Sequence, residues 1–362
     1  MRSSILQPLL SRGAAYQPFY SSSSALFSTL NSVSFAEKLR SDLTSRKLPL
    51  SYDYLHPQPS HLLNLTLADL LPSNYEQKHS QTQTKSRIPP ALPYPCRNYC
   101  PTARISFIPP AIPLIAGYRA GGNIRFPGHR PLLDGSRAVC IESIRNVTVK
   151  GREGEEKVIV TIERRVGVVP EDESAEESHR RIWTEDESAA GDAMREQIRS
   201  DQQQFGEPSR IVKSPSNATF RHSILPTKAL LFRFSALTFN AHSIHLDKEY
   251  TQNQEGYRNC LVHGPLTLTL LLSVLQGHLQ TLNLWVGQFE YRNLAPLFVD
   301  EELSICGKPK NGGSSWDVWI EGPDGGLAVR GRRRLAIDLI QMTARYAYPD
   351  YENSLVFIFH EL

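Results

Sequence analysis

Apolar residues along the chain recur with two different periods, and the change from one to the other marks where helices give way to strands. From Phe35 to about Leu71 the spacing is helical: Phe35, Leu39 and Leu43, then Leu62, Leu63, Leu67 and Leu70, closed by Pro72 and Ser73. Residues 74–116 carry Pro89, Pro90, Pro93, Pro95, Pro101, Pro109, Pro110 and Pro113, which predicts irregular, extended chain because each proline removes a backbone donor. Two strands are predicted next, Ala138 to Val149 and Lys157 to Val166, joined as a hairpin across Gly151 to Glu155. In the second, Val158, Val160 and Ile162 alternate with Ile159, Thr161 and Glu163. Between Glu171 and Asp192 nine acids face only Arg180 and Arg181, a pattern that reads as a solvated linker or insertion.

A second unit begins near Ser214. Leu230 to Leu237 is apolar and fits a strand or a helix. Beyond Val262-His263-Gly264-Pro265, the run Leu266 to Gly277 is bracketed by proline at a first helical position and glycine past a last one, so a helix of about three turns is expected. Leu266, Leu268, Leu270, Leu271, Leu272, Val274 and Leu275 leave it no wide polar face, and it must be buried. Strands are predicted at Leu284 to Tyr291, Leu303 to Gly307, Ser315 to Glu321 and Gly326 to Asp338, with turns at Lys310 to Gly313 and Gly322 to Gly326. A buried helix among strands predicts a sheet wrapped around it.

Composition narrows the classes. The 362 residues are 40% hydrophobic and 21% charged, with 40 Lys plus Arg against 37 Asp plus Glu, a net charge of +3. No apolar run approaches the roughly 18 residues of a membrane span, and the charge is too small to imply nucleic-acid binding. Five cysteines (Cys96, Cys100, Cys140, Cys260, Cys306) form no disulfide framework and point to a reducing compartment. Through Ala36 the only charged residues are Arg2 and Arg12 in a serine-rich stretch, and the first acid is Glu37, so residues 1–34 read as a presequence for the mitochondrial matrix. No Gly-x-Ser-x-Gly, P-loop or dinucleotide fingerprint is present, which removes the usual support for esterase, NTPase and nicotinamide chemistry.

Four ordered motifs carry a resemblance: Phe239-Asn-Ala-His-Ser-Ile-His245-x-Asp247, Glu255-Gly-Tyr257, Val262-His-Gly-Pro-Leu266, and Phe289-Glu-Tyr-Arg-Asn-Leu-Ala-Pro-Leu297. Together they resemble the MaoC-like hot dog dehydratases, most closely the mitochondrial hydroxyacyl-thioester dehydratase type 2 group. Residues 212–340 carry the likeness most strongly. Ala120-Gly-Gly-Asn-Ile-Arg-Phe126 and Asp134-Gly-Ser-Arg-Ala-Val139 are similar to a degenerate first half. The resemblance implies an α+β double hot dog, with a presequence over 1–34, a degenerate hot dog domain over 35–168, an acidic linker over 169–212 and a catalytic hot dog domain over 213–362. It also implies loss or addition of water across the 2,3 bond of an acyl thioester carried on an acyl carrier protein or coenzyme A, with no other cofactor.

That chemistry needs a base for the C2 proton, an acid for the departing hydroxyl, and donors for an enolate-like oxygen. His245 suits the first two roles. Asn240 stands where the family carries aspartate, cannot titrate, and can hydrogen-bond the hydroxyl, which makes His245 the single acid and base. His242 and Asp247 are expected in support. Thioester-oxygen donors are expected at the start of the buried helix, from Gly264, Leu266 or Thr267, with Gly264 favoured and His263 placing the loop. His242, His245 and Asp247 are also a ligand-type set, but no His-Glu-x-x-His helix accompanies them and no metal is expected. Alternation puts Arg330, Arg332 and Arg334 on one strand face and Arg333 on the other; the three read either as a solvated edge or as a rim for carrier phosphates and acidic carrier surface. The leading expectation is a (3R)-3-hydroxyacyl-thioester dehydratase of mitochondrial fatty acid synthesis, in which a homodimer stays open. The alternatives are a hydratase of the mesaconyl or itaconyl coenzyme A type and a non-catalytic thioester-binding subunit.

Overall fold

A computed structural model describes residues 28–72, 117–126, 133–150, 157–184, 194–202 and 211–334, apart from 283, 285 and 314. The expected presequence through residue 27, the proline-rich stretch with Cys96 and Cys100, and Trp285 lie outside the described residues. So does the part of the last predicted strand beyond Arg334.

The helical spacing at the start resolves into α1 (Ser28–Thr44), β1 (Ser51–Tyr54) and α2 (Gln58–Leu67). Pro49 stops the helix, and the Tyr52 and Tyr54 pair favours a short strand before Pro57 and Pro59 open the next helix. β2 (Gly117–Arg125), β3 (Arg137–Lys150) and β4 (Lys157–Val168) follow. The stretch expected as an acidic linker instead holds α3 (Ala175–Ile182) and β5 (Met194–Gln202). Its acids cap a helix: Ser174 and Glu177 form a reciprocal capping box, while Arg181 near the other end bonds Glu173 at 2.8 Å. Ile182 and Trp183 then pack on Val139, Ile141 and Val169 of the first sheet.

The second half contains β6 (Phe220–Ile224), α4 (Lys228–Thr238), α5 (Ser243–Leu246), α6 (Lys248–Asn253) and α7 (Gly264–Gln280). It closes with β7 (Gln288–Asn293), β8 (Leu303–Lys310), β9 (Ser315–Glu321) and β10 (Leu327–Arg334). The strand order is β1-β3-β4-β5-β2-β7-β10-β9-β8-β6, with every pairing antiparallel. Read inward from either end, each half has the same order, so one topology occurs twice and the copies join through β2 and β7. This is the double hot dog, two antiparallel sheets flanked by helices.

Register assigns the faces. Ile124, Phe289, Arg333 and Trp316 form one row across β2, β7, β10 and β9, on the face that meets α7. α7 is the predicted buried helix, extended to Gln280; Leu266, Leu270, Leu271, Leu272, Leu275 and Leu279 are each 0% exposed. At about 1.5–3 kcal/mol per buried leucine, this one helix is a dominant contribution to the core. Leu39 and Leu43 of α1 cover the corresponding face of the first half, against Val147, Val149, Val158 and Val160.

β2 requires close backbone approach on both sides, to β7 across the seam between the halves and to β5 within the first half. A Cβ on Gly121 would stand 2.4 Å from the Tyr291 carbonyl oxygen, and one on Gly122 would stand 2.4 Å from that of Gln197. Gly121→Val should therefore push β2 off β7 and destabilise the protein by about 1–3 kcal/mol in denaturant titrations. Gly322→Ala, where an added Cβ meets nothing within 4 Å, should stay within about 0.5 kcal/mol of wild type.

Candidate active site

The site grows from the end of α4. Thr227 caps the start of that helix, and Phe239 ends it in the left-handed region at φ 54°, ψ 26°. That conformation is costly for an aromatic residue, by about 1–3 kcal/mol, and it is placed directly before Asn240. The Asn240 N–H returns to Ser235 C=O at 3.0 Å, and its Oδ1 accepts the His242 N–H at 2.9 Å. With the amide oxygen engaged, the Nδ2 donors of the buried Asn240 stay available for a ligand.

Two further bonds fix the tautomers of the motif histidines. His242 caps α5 by accepting the Ile244 N–H at Nδ1, 3.2 Å, so its neutral ring carries hydrogen on Nε2. His245 Nδ1 lies 2.7 Å from Leu261 C=O; a carbonyl only accepts, so Nδ1 carries the hydrogen and Nε2 presents a lone pair. Leu261 also donates its N–H to Ile244 C=O at 3.0 Å, and the next residue, Val262, donates to Leu297 C=O at 2.8 Å. The loop before α7 is thereby clamped to the histidine turn on one side and to the chain after β7 on the other. Burial pushes the His245 imidazole down to about 4; the Leu261 bond opposes this and nearby His242 adds to it.

His263 sits immediately before α7 and is 0% exposed. Its ring stacks on that of His245, with centroids 3.7 Å apart and planes 21° from parallel. His263 Nε2 is 2.9 Å from Ser235 Oγ. At the helix start, Thr267 N–H bonds His263 C=O at 2.9 Å, Pro265 has no N–H, and the donors left over belong to Gly264 and Leu266. Of the three donors expected from sequence, Thr267 is thus removed.

Asn240, His242, His245, His263, Gly264 and Leu266 are brought together. Asp247 caps α6 by accepting the Tyr250 N–H at 3.0 Å and has a local structural role. The arginine rim is not brought to this site. By register Arg330 and Arg332 belong to the sheet face opposite α7, where Arg330 lies across from Arg292 and Arg332 is 3.6 Å from Asp317; the Arg334 side chain lies outside the described residues. Arg333, on the helix side, is buried, which pushes its guanidinium down to about 10. No group of three or more metal-ligating side chains occurs among the described residues. Two contributors escaped the sequence reading: Ser235, an isolated polar residue in the apolar run of α4, and the Leu261 carbonyl, which no side-chain motif can signal.

Comparisons with known proteins identify the family and the fold. The family profile described as "Hydroxyacyl-thioester dehydratase type 2" matches residues 110–299. The chain is 34% identical over 226 residues to "Mesaconyl-C(4)-CoA hydratase" of Chloroflexus aurantiacus, covering 62% of this chain and 72% of that protein. It is 28% identical over 189 residues to "Hydroxyacyl-thioester dehydratase type 2, mitochondrial" of Schizosaccharomyces pombe, covering 51% and 62%. The protein of the same name from Saccharomyces cerevisiae is 36% identical over 73 residues, covering 20% and 25%. Among solved structures, a MaoC-like dehydratase from Phytophthora capsici superposes with TM-score 0.52 at 11% identity, covering 82% of this chain and 99% of that one, and supports the fold.

Burial of neutral imidazoles has a consequence for stability. The His245 pKa is lowered from 6.5 to about 4 on folding, and that of His263 also falls well below 6.5. Between those pH values the unfolded chain binds more protons than the folded one, so stability is full above about pH 6.5 and falls as the pH drops toward 4. Denaturant midpoints should decrease between pH 7 and pH 5, and less steeply in His245→Gln.

Proposed function

Since this chain belongs to the hydroxyacyl-thioester dehydratase type 2 family, hot dog enzymes that add or remove water on thioesters, we propose that it is a hydro-lyase whose substrate is the coenzyme A monothioester of a short, branched dicarboxylic acid of the mesaconyl class. The observation that carries the chemistry is the His245 imidazole, held neutral with its Nε2 lone pair free, next to unpaired N–H donors at the start of α7. The substrate class is supported by the hydratase relative, matched over 72% of its length.

In the hydration direction the thioester oxygen accepts from Gly264 N–H and Leu266 N–H, at the positive end of the helix dipole. Electron density is drawn from C3, and water held by the Asn240 amide attacks there while His245 Nε2 takes its proton. The imidazolium then delivers that proton to C2 as the enolate collapses. Burial lowers the proton affinity of the imidazole, which helps the imidazolium release its proton to C2 and makes the first transfer from water correspondingly harder. Dehydration runs the same steps backward: His245 removes the C2 proton and returns it to the leaving hydroxyl. Asn240 stays neutral throughout, and one imidazole does both transfers.

A second reading keeps this mechanism and changes the substrate to a (3R)-3-hydroxyacyl thioester on an acyl carrier protein in mitochondria. It is favoured by the two yeast relatives named as mitochondrial dehydratases and by the acid-free, serine-rich start of the chain.

Thioester turnover followed by enoyl absorbance distinguishes the two. Mesaconyl coenzyme A should be hydrated with kcat/KM at least about tenfold above that of unbranched enoyl thioesters on either carrier, and the reverse ranking would transfer the assignment to the second reading. His245→Gln should lose about 10²–10⁴ in kcat. Asn240→Ala should lose roughly tenfold, in line with removal of one neutral hydrogen bond of about 1–1.5 kcal/mol. Unchanged turnover in His245→Gln would remove the proposed base.

A further inference from the structure

Apart from Asn240, His242, His245 and the α7 donors, one more polar group is built into this site. His263 is wholly buried, with the Phe234 ring 5.0 Å from its own ring and the His245 ring 3.7 Å away. One of its nitrogens meets Ser235 Oγ at 2.9 Å, and Nδ1, enclosed by protein, has no hydrogen-bond partner. Ionising this ring would add a full charge and place an N–H donor on each nitrogen where Nδ1 has no acceptor to meet, whereas the neutral ring leaves only an uncharged Nδ1 without a partner. His263 therefore stays neutral for a geometric reason, and the stacked pair can hold one added proton, on His245.

A neutral, immobile ring against His245 excludes water from that side and fixes the plane in which Nε2 lies. We propose that His263, anchored by Ser235, is a positioning residue that keeps the His245 imidazole desolvated and correctly oriented for proton transfer.

Other groups around His245 do not substitute for it. From its own turn come His242, with ring centroids 6.4 Å away, and Asp247, which is engaged as the α6 cap. α6 contributes Tyr250, bonded to Glu255 at 2.9 Å. The loop before α7 adds Cys260, whose thiol is pushed up by burial, and the first turn of α7 carries no titratable side chain. His242 meets the His245 ring edge-on, whereas His263 stacks face-to-face on it. Burial is the largest cause of the depressed His245 pKa, in keeping with a wall of this kind.

The proposal rests on His245 being the base, so its test has one readout free of substrate. Histidine NMR titration of ligand-free protein should show the His245 pKa rising by about one unit or more in His263→Ala, where water reaches the exposed ring face. In His263→Phe, which keeps a flat cover, it should move by less than about 0.5. The acidic limb of kcat/KM should shift in parallel, and Ser235→Ala should lower kcat about three- to tenfold with KM nearly unchanged. An unmoved His245 pKa in folded His263→Ala would overturn the proposal, as would a loss in His263→Phe as large as in His245→Gln. If no thioester tested turns over while the titration shift is still seen, the substrate reading fails and the positioning role stands.

Discussion

A helix with no wide polar face has to be enclosed on every side, and the rest of this molecule follows from that requirement. Leucines cover most of the circumference of α7, its narrow stripe of Thr269, Ser273 and Gln276 is buried as well, and a flat sheet would leave part of the helix in water. The second-half strands curl over it with Phe289, Val318, Ile305 and Val329 pointing inward, and the edge strand β7 extends the surface by pairing with β2 of the first half. Enclosing the helix also buries its first turn. The N–H groups left over there have no strand partner, so the same burial that stabilises the fold produces a dry donor site for a developing oxyanion.

The catalytic turn is tied to that helix start by backbone atoms. Leu261 accepts from the His245 ring and donates to Ile244, and Val262 donates to Leu297, so the base and the oxyanion donors sit at the two ends of one short, clamped segment. Phe239 in a left-handed conformation is the local cost of turning the chain from α4 into Asn240. At the far end of α7 the buried Gln276 accepts the Val286 N–H at 3.2 Å, beside the His278 to Trp316 ring pair.

Much of this was legible from residue order because the signals are local. The apolar circumference of α7, its proline start, the β3–β4 hairpin and the His245 motif each occupy a few consecutive residues whose types carry the physics. Non-local features were not legible. Met194 to Gln202 is polar enough to read as a linker, yet β5 is a central strand because β4 and β2 bond both of its edges. Acids near Glu173 looked solvated until the capping box and Arg181 gave them partners. Alternation correctly separated Arg333 from Arg330 and Arg332, but sequence alone could not say which face held the helix. Ser235 could be identified only once α4 and the α7 loop were in contact.

With Asn240 unable to titrate and His263 kept neutral by burial, one imidazole carries a single proton between water and C2. Both transfers then occur on one face of the substrate. Hydration of mesaconyl coenzyme A, or of an unbranched enoyl thioester if that is the substrate, should be run in deuterium oxide and the product examined by proton NMR. Deuterium at C2 on the same side as the new hydroxyl is the predicted result. Deuterium on the opposite side would require a second acid across the substrate and would contradict the single-histidine mechanism.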